Sequence, residues 1–199
     1  MNLFSKIFGL FEEAKYEECL RLCNRGIKQY PSHYYAWFYK GKSLYELGDF
    51  EQAITAFIQS LNLGPNEDQI WLSLACARDA NGEKLEAYRC YRKETELFPD
   101  SAFAWESLAI FLCRNKRFSV ARRIFRLIDA KGLMNYEFAC LDYAKSIYEA
   151  GTLDEEIALY NKLISLGIKE KWVTVNMENA RKAVTESSCN RLAEESHEP

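Results

Sequence analysis

Apolar stripes at helical spacing alternate along the chain with short polar breaks. Val173, Met177, Ala180 and Val184 recur at i, i+4, i+7 and i+11, with Lys169, Glu170, Glu178, Arg181 and Lys182 elsewhere on the segment. That is the pattern of an amphipathic helix. At the other end Leu3, Phe4, Ile7, Phe8, Leu10 and Phe11 predict a strongly apolar helix with one basic residue, Lys6, inside it. Between these ends the pattern repeats. Trp37, Trp71 and Trp105 are 34 residues apart, and so are Pro31, Pro65 and Pro99. Ala53, Ala87 and Ala121 keep the same step, as do Phe57, Tyr91 and Phe125. Four series with one period and one phase establish an internal repeat.

Each unit reads as two antiparallel helices joined by a short turn such as Glu46-Leu47-Gly48-Asp49. The glycine supplies the positive φ that ends a helix, and Asp49 or Asp154 can cap the next one. Gly41, Ala53, Ala75, Ala87, Ala109 and Ala121 are small where helices approach closely, and aromatics fill the gaps between them. Pro65 and Pro99 stop the second helix before the next unit begins. One such unit cannot bury its own apolar face, so neighbours must stack.

At these positions the sequence resembles the tetratricopeptide repeat family, whose pattern is Trp-x2-Leu-Gly-x2-Tyr, then Ala-x3-Phe, then Pro. The matching copies are Trp37-x2-Lys40-Gly41-x2-Leu44 with Ala53-x3-Phe57 and Pro65, and Trp71-x2-Leu74-Ala75-x2-Arg78 with Ala87-x3-Tyr91 and Pro99. A third is Trp105-x2-Leu108-Ala109-x2-Leu112 with Ala121-x3-Phe125, and Leu133 in place of the proline. Two weaker copies flank these. Cys19 and Cys23 take the Ala and Phe positions before Pro31; after one extra residue near 130–136, Cys140, Ala144, Gly151 and Tyr160 take the Trp, Gly, turn and Phe positions. The resemblance spans roughly residues 1–167. It implies an all-α, right-handed superhelical solenoid of antiparallel helix pairs. The expected units are 1–33, 34–67, 68–101, 102–136 and 137–167, closed by a capping helix over 169–184. The Ser/Glu-rich stretch 185–199 loses periodicity and reads as a disordered polar tail.

In this family the first helix of each unit lines a concave face that receives peptides. The resemblance therefore implies a groove of Tyr35, Phe38, Tyr39, Lys42 and Tyr45 from one unit and Gln69, Leu72, Ser73, Cys76 and Asp79 from the next. Phe103, Glu106, Ser107, Ile110 and Cys113 would continue it, followed by Phe138, Leu141, Lys145 and Tyr148, with Phe4, Phe8 and Phe11 at the N-terminal end. Such an aromatic, weakly charged lining suits an apolar or amphipathic segment, while the same side chains could instead pack between repeats. The family's carboxylate clamp for chaperone tails needs Lys, Asn, Asn, Lys and Arg, because cationic donors must meet a terminal carboxylate pair. Here those places hold Phe38, Lys42, Ser73, Phe103 and Ser107. The clamp is absent, so an adaptor for heat-shock chaperone tails is not expected.

Composition narrows the remaining classes. The net charge is -3 and the pI about 5.6, without the basic footprint of a nucleic-acid binder. The one basic run, Arg114, Lys116, Arg117, Arg122, Arg123 and Arg126, could be a solvated face or could meet an acidic partner or membrane surface. An odd count of seven cysteines, six in scattered apolar segments and Cys189 in the polar tail, no Cys-x-x-Cys, and two histidines (His33 and His197) argue against a disulfide framework and a zinc site. Free thiols suit a reducing compartment, so a cytoplasmic protein is expected. Cys19 and Cys23 at i, i+4 read as core. The start, 1–11, lacks the basic n-region and cleavage site of a secretory signal, and no stretch reaches the ~18 apolar residues of a membrane span. The N-terminal helix fits a first repeat helix better than a membrane-surface helix; left exposed, it could also dimerise. There is no phosphate loop, triad or metal-ligand cluster, hence no enzyme, cofactor or metal is expected. The reading is a scaffold or adaptor for a protein or peptide partner. The alternatives are a dedicated chaperone for one hydrophobic client and a structural protein that self-assembles through its N-terminal face.

Overall fold

The helix-forming stripes fold as eleven α-helices among the described residues of the computed structural model, which are 2–64, 69–168 and 171–195, without the side chains of 136–138, 150 and 184–195. Pro65, Lys169, Glu170, Phe138, Val184, Cys189 and His197 thus fall outside what is described. In the first compact unit, residues 1–99, lie α1 (Leu3–Glu12), α2 (Tyr16–Gln29), α3 (Tyr34–Glu46), α4 (Phe50–Leu63), α5 (Ile70–Ala80) and α6 (Lys84–Leu97). The second, residues 100–199, holds α7 (Ala102–Arg114), α8 (Phe118–Ala130), α9 (Tyr136–Ala150), α10 (Leu153–Ser165) and α11 (Lys171–Glu195). The boundary between the two falls at the Pro99 turn, a predicted repeat boundary. A chain whose repeats touch only their neighbours divides naturally there.

Within each unit the helices form sequential antiparallel pairs: α1 with α2, α3 with α4, α5 with α6, α7 with α8, α9 with α10. Within a unit each second helix packs on the next helix (α2 on α3, α4 on α5, α8 on α9, α10 on α11), and first helices of neighbouring repeats touch as well (α1 with α3, α3 with α5, α7 with α9). The repeat positions explain this packing. Ala53, Ala87 and Ala121 are fully buried, beside Phe57 and Phe125 at 1% and 0% exposure and Tyr91 at 4%. A Cβ on Gly41 would stand 2.7 Å from the Phe57 ring, so only glycine lets α3 approach α4 that closely. Burying each such aromatic contributes on the order of 2–3 kcal/mol before the entropy of ordering is subtracted. Cys19 and Cys23 are also fully buried, as core positions should be.

Helix starts and turns follow local chemistry. Asp49 caps α4 by accepting the Gln52 N–H at 3.1 Å, and Ser101 caps α7 through Ala104 at 3.3 Å. Asp154 does not cap α10. Thr152 does, in a reciprocal capping box with Glu155, which leaves Asp154 in the first turn. The turn inside each of the first four repeats puts one residue in the left-handed region: Ala14 (φ 54), Gly48 (φ 81), Gly82 (φ 84) and Lys116 (φ 58), again 34 residues apart. Gly151, expected to match them, has φ -107. Its turn has two residues between helices where the others have three, and the two-residue form needs no left-handed step. The extra residue foreseen near 130–136 lies in the α8–α9 connection, which has five residues against four in Tyr30–His33. The last helix runs to Glu195, past the point where a tail was expected at 185. The stretch 171–195 contains neither Gly nor Pro, so its polar side chains do not interrupt the helix.

Candidate functional site

The aromatic residues expected to line a groove in the first unit largely pack on one another. Phe4 stacks on His33 at 4.0 Å between ring centroids and meets Tyr35 edge-on at 5.6 Å. Tyr39, 7% exposed, is met by Phe8, Phe11, Tyr35 and Phe38. Lys42 lies over this cluster, its Nζ 4.4 Å from the Phe11 centroid, 5.3 Å from Tyr39 and 5.5 Å from Phe38. Burial lowers the pKa of its ammonium, opposed by Glu12 and Glu46, so the ring faces replace part of its hydration. Tyr45 rests against Phe50. The packing alternative describes most of this set, and the α1–α3 aromatics form a satellite core around Ile7, Cys19, Cys23 and Ala36. Cys19 and Cys23 are 3.9 Å apart. Their shared hydrogen bond is the largest influence on both, pulling the Cys19 pKa down and pushing the Cys23 pKa up.

The α5 candidates divide. Leu72 is buried at 7%, so it offers no groove surface. Gln69 is the N-cap of α5 in a left-handed conformation (φ 71), and its N–H donates to Glu94 Oε1 at 3.1 Å. Cys76 is within 3.4 Å of the Tyr91 hydroxyl, Asp79 holds Lys84, and Ser73 is half-buried. In the second unit Ile110 and Cys113 are buried, and Glu106 is 1% exposed. Glu106 serves the backbone: its Oε1 accepts the Asn135 N–H at 2.5 Å, at the cap of α9. Burial pushes this carboxyl's pKa above the usual range, and the N–H bond partly opposes that. Sequence reasoning missed the paired role of Glu94 and Glu106; each is an acid inside an otherwise apolar stripe, which was the available signal. Phe103 is 48% exposed and Ser107 half-buried.

Three of the expected residues do come together at an open face. Leu141, Lys145 and Tyr148 occupy one side of α9 at i, i+4 and i+7, and Leu141 and Tyr148 are 62% and 75% exposed. They line a cleft of ≈ 620 Å³ walled by α9, α10 and α11. Its small residues are Ala144, Ala180 and Ala183, which leave the space, and Leu153, Tyr160 and Trp172 complete the apolar lining. Tyr160 donates to Glu156 Oε1 at 2.9 Å and meets Trp172 edge-on at 6.3 Å, fixing two lining side chains in place. The polar contribution comes from Lys145, Asn176, Asn179 and the Glu156 carboxylate, which the Tyr160 hydroxyl holds. Chemically this is an apolar slot with one cation, two amides and one carboxylate already engaged by Tyr160.

The basic run is partly engaged. Arg122 and Arg126 reach Glu155 at 2.5 and 3.1 Å, and Lys162 reaches Asp129 at 2.5 Å. Among the described residues no helix is long and apolar enough to cross a membrane.

Comparison with known proteins places this architecture. Residues 34–67 match the family model of the tetratricopeptide repeat. A tetratricopeptide repeat protein from Parabacteroides merdae superposes with a TM-score of 0.71 at 15% identity, over 94% of this chain and 73% of that one. A thermophilic repeat protein of Thermus thermophilus does so at 0.63 and 18%, over 90% and 97%. Human general transcription factor 3C polypeptide 3 is 23% identical over 159 residues; that match takes in 78% of this chain but spans only 18% of that protein's length. The 34-residue period, the paired helices and these matches agree: residues 34–67 are a tetratricopeptide repeat, and the chain has the fold of a tetratricopeptide repeat protein.

Proposed function

We propose that the protein is an interaction module that seats an amphipathic segment of a partner protein in the α9–α11 cleft. The observation that carries this reading is the exposure of Leu141 and Tyr148 on one face of α9, above a cleft of ≈ 620 Å³ with alanines in its lining. Apolar side chains held open in water beside such a cleft are what an anchor residue of a partner would cover. Leu141, Leu153 and Trp172 offer the apolar contact, while Lys145 and the two asparagine amides give a ligand carboxylate or backbone group its partners. The ligand is therefore a helix or extended segment with large apolar anchors and an acidic residue near them. Aromatics of the α1–α3 cluster hold the first unit together and are not the binding surface in this reading.

The test is the pair Leu141→Asp and Tyr148→Asp in one chain. Both positions are exposed, so circular dichroism should show unchanged helicity. A partner co-purifying with the wild-type chain should be lost by the variant; its retention would move the binding surface elsewhere.

A further inference from the structure

The outward side of α8 carries residues that the equivalent helices of the other repeats do not. Counted in steps of 34, Val120 stands where α2, α4 and α6 place Glu18, Gln52 and Glu86. Leu127 stands where they place Arg25, Gln59 and Lys93. The repeat thus supplies its own control: these are water-facing positions, and in α8 two of them are apolar, 43% and 45% exposed. On α8 Val120, Arg123 and Leu127 follow steps of three and four, so they form one stripe along the helix, while Lys116 and Arg117 lie in the turn before it and Lys131 is its C-cap. Lys116, Arg117, Arg123 and Lys131 are exposed, with no side-chain hydrogen bond or ion pair among the described residues. The one acid on α8, Asp129, is occupied by Lys162. A chain of net charge -3 therefore presents on α8 and at its two ends cations and two apolar side chains, with the helix's own acid already paired.

We propose that this stripe docks an acidic amphipathic helix of a protein partner. Two apolar anchors seven residues apart, about two helical turns or ~10 Å, would lie against Val120 and Leu127. Glutamates or aspartates beside them would meet Lys116, Arg117, Arg123 and Lys131, giving orientation and a fast, salt-sensitive association. A lipid surface fits less well. Ala121, Phe125 and Ile128 are fully buried under the helix, so α8 has no broad apolar face to immerse. This face is distinct from the α9–α11 cleft, and the proposal stands or falls without it.

The experiment titrates the full chain against a fluorescent synthetic helix carrying leucines at i and i+7 flanked by glutamates, followed by fluorescence anisotropy. A second peptide has both leucines replaced by serine. The serine peptide should bind about tenfold more weakly, and Val120→Ser with Leu127→Ser should weaken the leucine peptide to a similar extent. Arg123→Glu should do the same. Lys116→Gly is the decisive variant, because glycine suits that left-handed turn: it should raise thermal stability while weakening binding several-fold, so loss of folding cannot explain the effect. The proposal is overturned if the leucine peptide does not bind, if both peptides bind alike, or if the stripe variants bind as wild type does. It is equally overturned if phosphatidylserine vesicles sediment the chain through the same residues and displace the peptide.

Discussion

The carboxylate of Glu106 in α7 grips the backbone N–H of Asn135, 2.5 Å away, at the first turn of α9. Glu94 does the same for Gln69 at the start of α5. In both cases a buried acid takes the place of the side-chain cap that the helix itself lacks. Because burial raises the Glu106 pKa, its contribution to stability is fully present below the ordinary value of 4.5 and is lost as pH rises through the folded-state value. Glu106→Gln, which keeps an acceptor without the charge, should match wild type near pH 4 and exceed it at pH 7. Glu106→Ala should cost about 1–3 kcal/mol at pH 7 by orphaning the Asn135 N–H. Urea unfolding at the two pH values checks both.

The left-handed turn positions offer a second test. Ala14 and Lys116 hold φ 54 and 58 where the equivalent residues are Gly48 and Gly82. Ala14→Gly should stabilise by about 0.5–1 kcal/mol, and Gly82→Ala should destabilise by a comparable or larger amount. Thermal melts with opposite shifts for the two substitutions are the expected result.

Close helix approach is tested at Gly41. A methyl there would sit 2.7 Å from the fully packed Phe57 ring, so Gly41→Ala should destabilise by about 1–3 kcal/mol. Gly9, whose added Cβ would meet nothing within 4 Å, should accept alanine without loss and serves as the control in the same unfolding assay.

Much of this architecture could be read from residue spacing. The period located Ala53, Phe57, Ala87 and Tyr91 in the core because a packed interface between identical units demands the same small and large side chains at the same places. The site was less legible. Offset from a tryptophan identifies the helix face but not what covers it: Tyr39 is covered by Phe8 and Phe11 and Leu72 is buried, whereas Leu141 and Tyr148 stay open beside a cleft bordered by alanines. The role of Glu106 depended on a backbone N–H 29 residues away, which no local pattern reports.

Buried thiols predict alkaline instability. Burial pushes the Cys90 pKa to about 11 and the Cys113 pKa to about 12, from an ordinary 9.0. A raised pKa gives stability that is whole below pH 9 and fades as pH climbs toward those values. Urea midpoints should hold steady up to about pH 8.5 and fall above it, with a shallower fall in Cys113→Ala. Equal slopes for variant and wild type would remove Cys113 from the explanation.

The most direct test of the binding reading places a photo-crosslinking benzoylphenylalanine at Tyr148 in one chain and at Leu85 in another. Leu85 is also 62% exposed but belongs to α6 and is not among the residues that line the cleft. After irradiation with the natural cellular protein mixture, position 148 should give a discrete adduct whose mapped partner peptide is amphipathic and carries an acid, and position 85 should not. Equal adducts at both positions, or none at 148, would contradict the α9–α11 cleft as the place where this protein holds its partner.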